Sequence, residues 1–235
     1  MNFIVTNPKI IVMAFMGGII PSLLWLWFWL KEEEDSEPNG LITIVFIMGM
    51  LSVIAVLPIE KFIQENVSSN VNQIILWASA EEILKYLAVL VILYKTKNVS
   101  KPIDWPIYMI TAALGFAALE NTLFLIKPFS TSGSTLALLA ATSLGQLRFL
   151  GANLLHTVTS GTIGIAIGIS FFMKRLERKW FLFIGFLVAI SLHSAFNFFI
   201  IKNNGNELEV FAFLWVVTIM VMLLFEKVRR MSGIN

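Results

Sequence analysis

The chain has 235 residues, 57% hydrophobic and only 14% charged, with a mean hydropathy of +0.82 and a net charge of +2. A soluble domain carries about a quarter charged residues, so an ordinary soluble protein and a disordered chain are both excluded. The chain has no cysteine, which excludes a disulfide-stapled module, thiolate metal ligation and thiol catalysis; the small, scattered charge excludes a nucleic-acid binder.

A bilayer core of about 30 Å takes about 20 apolar residues at 1.5 Å rise each. Hydropathy along the chain predicts seven such spans, at 10–30, 41–59, 73–94, 106–126, 151–173, 180–201 and 210–225. The first lacks a basic leading region and a small-residue cleavage site, so it reads as a retained helix. Charge collects in short connections such as KEEEDSEPNG (31–40) and KRLERK (174–179). Trp25, Trp27, Trp29, Trp105 and Trp180 fall at span ends, where amphipathic rings favour the headgroup level. No long linker, low-complexity tract or internal repeat interrupts the pattern. The expectation is one all-α domain over 1–235, a multi-pass protein of the cell membrane with its motif-bearing core at 73–201. One apolar stretch, 134–147, has 14 residues. That is short for a crossing and reads as a re-entrant or interfacial helix, with eight spans as the alternative.

Ionisable residues inside spans are costly and usually face the bundle interior. Here they are Glu81, Glu82 and Lys85 in the third span, Glu120 in the fourth, His156 in the fifth and His193 in the sixth. Arg148 precedes the fifth span, and Asn121, Asn153 and Asn197 accompany the set. Glu81 and Lys85 stand i, i+4, a spacing at which the lysine can neutralise that carboxylate and leave Glu82 free. His193 and Asn197 share the same spacing. His156, Ser160, Gly164 and Gly168 recur every four residues, a small-residue stripe that lets two helices approach closely. Each residue alone has a plain structural account: an intrahelical ion pair, a buried histidine bonded to a carbonyl, a polar pair knitting two helices. Three acids and the chain's only two histidines together in an almost uncharged interior point to one site.

Such a set can hold a divalent ion such as zinc through N and O ligands, with Glu82, His156 and His193 as the candidate ligands. It can equally polarise water directly, a glutamate, here Glu82, acting as base and a histidine as orienter. Either route attacks an amide carbonyl, with Asn197 as a donor to the developing oxyanion. No HExxH zinc helix and no GxSxG elbow occurs.

The motifs Glu81-Glu82-Ile83-Leu84-Lys85, Gly115-Phe116-Ala117-Ala118-Leu119-Glu120-Asn121, Arg148 to His156, and His193 to Asn197, in that order, resemble the PrsW family of intramembrane proteases. The CAAX prenyl endopeptidases and their bacterial immunity-associated relatives are more distant; that branch typically has Arg where Lys85 stands and lacks the Glu-Asn pair. The resemblance covers about residues 77–200. In one place the chain departs from the pattern: Asn153-Leu154-Leu155 precedes His156, where the family commonly has a small residue or proline. The resemblance implies peptide-bond hydrolysis within the membrane, typically of a membrane-anchored anti-sigma factor in signalling. The matched functional positions are Glu81, Glu82, His156 and His193, supported by Glu120 and Asn197, with Lys85, Asn121 and Arg148 beside them. The family is often classed as metallopeptidase-like, while a metal-free glutamate mechanism has been argued for the prenyl endopeptidases.

Depth selects among topologies. Glu81 lies about 12 Å into its span, Glu120 about 9 Å from the end of the next, His156 about 7.5 Å into the fifth and His193 about 12 Å from the end of the sixth. These levels agree only where 134–147 returns without crossing. Seven spans with the N-terminus outside put 11 Lys and Arg on the cytoplasmic side against 4 outside, and eight spans with it inside put 10 against 5, so both satisfy the positive-inside bias. A proton-coupled or ion transporter using the same Glu and His set is the competing reading, and a non-catalytic membrane scaffold is the third.

Overall fold

Lipid offers no partner to a backbone N–H or C=O, so an apolar chain must satisfy its own ladders, and helices do this within one segment. The computed structural model describes residues 8–31, 38–96, 99–127, 151–202 and 207–233. Within them lie seven helices and no strand: α1 (Pro8–Lys31), α2 (Asn39–Asn66), α3 (Asn70–Thr96), α4 (Asp104–Ile126), α5 (Asn153–Ile169), α6 (Arg175–Lys202) and α7 (Glu207–Ser232). The 134–147 stretch and Arg148 lie outside the described residues.

Five of these helices, α1, α2, α4, α6 and α7, are long and apolar enough to cross a membrane. α3 is long enough, at 27 residues, but carries Glu81, Glu82 and Lys85 at its middle. α5 has 17 residues. Several helices outrun the predicted spans. α2 continues seven residues beyond 59 to Asn66, and α6 begins at Arg175 within the segment read as a charged connection. Hydropathy marks where side chains prefer lipid, whereas the hydrogen-bond ladder continues into the headgroup layer. Pro21 and Pro58 lie inside α1 and α2, as membrane helices tolerate.

α4 is the central post: every residue from Pro106 to Ala118 is buried. It packs against α1, α2 and α5. Gly49 of α2 meets the Ala112 backbone and Gly115 of α4 meets the Phe46 backbone, so neither position has room for a Cβ. The small-residue stripe of α5 faces α4. A Cβ on Gly164 would stand 2.6 Å from Pro106 Cα, and one on Gly168 2.7 Å from the Pro102 carbonyl. The two helices therefore run antiparallel, with the end of α4 and the start of α5 at one end of the bundle. At the opposite end Ser232 Oγ accepts from the Ile103 N–H at 3.0 Å, and Trp29 packs edge-on to Phe225 at 5.3 Å.

Candidate active site

α3 presents Glu81, Glu82 and Lys85 to α5 and α6. Glu82 is fully buried, and four donors close on its carboxylate. Oε1 accepts from Lys85 Nζ at 2.8 Å, His193 Nδ1 at 2.9 Å and Thr159 Oγ1 at 3.0 Å; Oε2 accepts from Ser160 Oγ at 2.6 Å. A buried carboxylate is tolerable only when so paired. With Nδ1 donating to Glu82, His193 turns Nε2 toward Glu81, 3.7 Å from its Oε2.

His156, on α5, is buried between two partners. Its Nδ1 lies 2.8 Å from Lys85 Nζ, and its Nε2 lies 3.1 Å from Glu120 Oε2. An ammonium only donates, so Nδ1 accepts and Nε2 carries the hydrogen offered to Glu120. The two imidazoles meet edge to face with centroids 5.1 Å apart, and Phe116 packs on His156 at 5.2 Å. Glu81 differs from its neighbour. Its Oε2 is buried and makes no hydrogen bond, with Lys85 Nζ at 3.6 Å and His156 Nδ1 at 3.9 Å. Glu120 is the partly open member, its side chain 21% exposed.

The structure thus brings together Glu81, Glu82, Lys85, Glu120, His156 and His193. The expected pairing of Lys85 is reversed: its hydrogen bond goes to Glu82, at i−3, and Glu81 is the less engaged carboxylate. Asn121 is buried beside Asn153, its Nδ2 3.4 Å from Asn153 Oδ1, which also accepts from Ser22 Oγ at 2.8 Å. That network ties α1, α4 and α5 next to the site. Asn197 is half-buried one turn beyond His193.

Residues 37–225 match the family model described as PrsW family intramembrane metalloprotease. The chain belongs to the PrsW family. Among curated relatives, the protein named Protease PrsW of Shouchella clausii is 25% identical over 225 residues, covering 94% of this chain and 98% of that one. Protease PrsW of Geobacillus kaustophilus is 27% identical over 192 residues, 80% of each chain, and that of Clostridioides difficile is 29% identical over 193 residues, 78% of this chain and 77% of its own. No solved structure matches. With this family and five apolar helices, the chain is a multi-pass protein of the cell membrane.

The PrsW family description implies a metal. One ligand atom each of Glu81, His156 and His193 lies within 4.8 Å of the others, and Glu81 Oε2 is a buried oxygen without a hydrogen bond. The Glu82–His193 bond is the second carboxylate–imidazole contact that metal-binding histidines usually carry. The donor set fits a metal, with Glu81 in the place that the spacing argument gave to Glu82.

Two participants escaped the sequence reading. Thr159 is a donor to Glu82, signalled only by its place one residue from the His156–Ser160 stripe. Glu60 sits half-buried near the end of α2, its carboxyl beside that of Glu81. Its carbonyl accepts from Trp77 Nε1 at 3.1 Å, which ties that end of α2 to α3. Ending the second span at 59 left Glu60 in a connection; a helical count carried one turn further would have included it.

Proposed function

We propose that this PrsW-family chain is an intramembrane endopeptidase that hydrolyses a peptide bond of a membrane-anchored protein, with Glu81 as the base that activates water. The observation that carries the reading is the contrast between the two adjacent glutamates. Glu82 has its oxygens filled by Lys85, His193, Thr159 and Ser160, so it positions other groups. Glu81 keeps a buried, unbonded Oε2 facing both imidazoles. A carboxylate so placed can take a proton from water and return it to the leaving amine. His193 Nε2 is the acceptor left free to orient that water. Asn197, on the same face of α6 one turn away, is the candidate donor to the oxyanion. In a metal-bound form Glu81, His156 and His193 would instead be ligands, and zinc would supply Lewis acidity toward water and the carbonyl oxygen. The roles of Glu81 as base and of His193 Nε2 as water acceptor belong to the metal-free form.

The fold proposed with this activity has seven crossings, α3 and α5 joining the five apolar helices, and a 134–147 segment that does not cross. α3 is about 40 Å long at 1.5 Å per residue, and its three charges are neutralised inside the bundle. The 3.1 Å contact of Glu120 with His156 supports a return, because it sets the end of α4 level with the start of α5. In this arrangement the site opens toward the extracytoplasmic side past Glu120, and a single-span substrate such as an anti-sigma factor would present its bond there.

The deciding experiment mixes purified protein with single-span substrates in proteoliposomes and sequences the product ends. Cleavage by wild type and none by Glu81→Gln is the expected result. Cleavage retained by Glu81→Gln removes the base assignment, and no cleavage of any membrane-anchored substrate by wild type removes the endopeptidase reading.

A further inference from the structure

Lys85 stands where a metal's charge would be wanted. Its side chain is fully buried, its Nζ 2.8 Å from both Glu82 Oε1 and His156 Nδ1, 3.6 Å from Glu81 Oε2, and 4.3 Å above the centre of the Phe116 ring. An ammonium has three donors and no lone pair. It therefore consumes the lone pair of His156 Nδ1, while Nε2 of the same ring faces Glu120 at 3.1 Å.

A divalent ion needs a lone pair from every ligand. Two of the three are ready: Glu81 Oε2 has no hydrogen bond, and His193 has its other nitrogen on Glu82. The third is held by Lys85. Coulomb repulsion also sets a monovalent and a divalent cation against each other at such range, strongly so where water is excluded.

We propose that Lys85 is a resident competitor for the metal: its ammonium and a divalent cation are alternative partners of His156, and the ion loads only when Lys85 leaves Nδ1. The inference rests on the reading of Glu81, His156 and His193 as the metal-capable set. Lys85 can retreat without losing its charge partner, since Glu82 holds it independently at 2.8 Å. Metal occupancy then depends on the position of one lysine, and substitutions that pull Lys85 toward Glu82 raise it.

The test reads binding rather than cleavage. Full-length protein in detergent is stripped of metal, and Zn²⁺ affinity is measured by competition with a chromogenic chelator. Lys85→Gln should bind zinc at least about tenfold more tightly than wild type, because it removes a cation a few ångströms from the ion in a water-poor interior. Lys85→Arg, which keeps the cation, should stay near wild type, and adding His193→Ala to Lys85→Gln should abolish the gain. Equal or weaker binding by Lys85→Gln overturns the competition. Should that variant fail to fold, wild type labelled with ¹⁵N-lysine serves instead: saturating zinc should shift the Lys85 Nζ resonance, and zinc bound without that shift overturns the proposal. If neither wild type nor Lys85→Gln binds zinc, the competition and the metal-capable reading fall together; substrate cleavage by the same metal-free wild type would leave the endopeptidase reading standing.

Discussion

His193 Nδ1 lies 2.9 Å from Glu82 Oε1, and this bond leaves Nε2 of His193 facing Glu81 Oε2 at 3.7 Å. Through it two adjacent carboxylates acquire different work, one orienting an imidazole and the other sharing the face that imidazole presents. The difference can be measured as a split between activity and stability.

Glu81→Gln should lower cleavage by about 10²–10⁴-fold, the usual contribution of a positioned base. Its melting temperature should stay close to wild type, because Oε2 gives up no hydrogen bond. Glu82→Gln should also lose cleavage but be less stable by about 3–5 kcal/mol, and so melt lower, as when one partner of a buried pair is removed. Its new amide would set an N–H against one of the donors that converge there. Thermal unfolding in detergent, run beside cleavage, checks both; equal melting of the two variants would contradict the split.

Ser160 and Thr159 reach the chemistry only through Glu82. Ser160→Ala removes the 2.6 Å bond to Oε2 and should slow cleavage by about 10–100-fold, the range typical of groups that hold a ligand or base in place. Thr159→Val should do the same more mildly, since Oε1 keeps two other donors. Substrate affinity should be unchanged in both, so the loss should appear in kcat with KM constant.

The stripe on α5 has a mechanical role that substitution exposes. Gly164→Val would drive its side chain against the Pro106 backbone, which cannot rotate away as a flexible side chain could. Overpacking of this kind costs about 1–3 kcal/mol. It should also separate α5 from α4 and pull His156 off Glu120, so cleavage should fall further than stability alone predicts. Gly161→Ala, facing the flexible Ile110 side chain at 3.3 Å, is the control expected to remain active.

Much of the site was legible because lipid makes charge conspicuous. Glu81, Glu82, Glu120, His156 and His193 stand out in spans that are otherwise apolar, and helical spacing set His156 on the stripe that meets α4. What spacing does not encode is the division of labour between Glu81 and Glu82. Neighbours on a helix point about 100° apart, and which of them meets Thr159 and Ser160 depends on how α3 crosses α5. Lys85 is within reach of either glutamate at i−3 or i−4, and the donors on α5 and α6 draw the pair toward Glu82. Glu60 was hidden for another reason: hydropathy falls at the lipid boundary, whereas α2 continues past it and carries Glu60 back to Glu81.

The proposed return between α4 and α5 has the sharpest test, because the native chain has no cysteine to interfere. Gly164 against Pro106 and Gly168 against Pro102 make the two helices antiparallel, and Glu120 meets His156 at 3.1 Å. Lys127, just past α4, and the start of α5 then belong at one end of the bundle, and the proposed topology places no net crossing between them. From there α5 leads to Lys174 at the other end. Lys127→Cys and Lys174→Cys, both at exposed positions, should therefore react with a membrane-impermeant maleimide from opposite sides of sealed vesicles. Ser68→Cys, in the turn between α2 and α3, should label from the side of Lys127. If Lys127→Cys and Lys174→Cys label from the same side, the 134–147 stretch is a true span. His156 would then stand at the wrong membrane face to meet Glu81, and the assembled site would be lost with it.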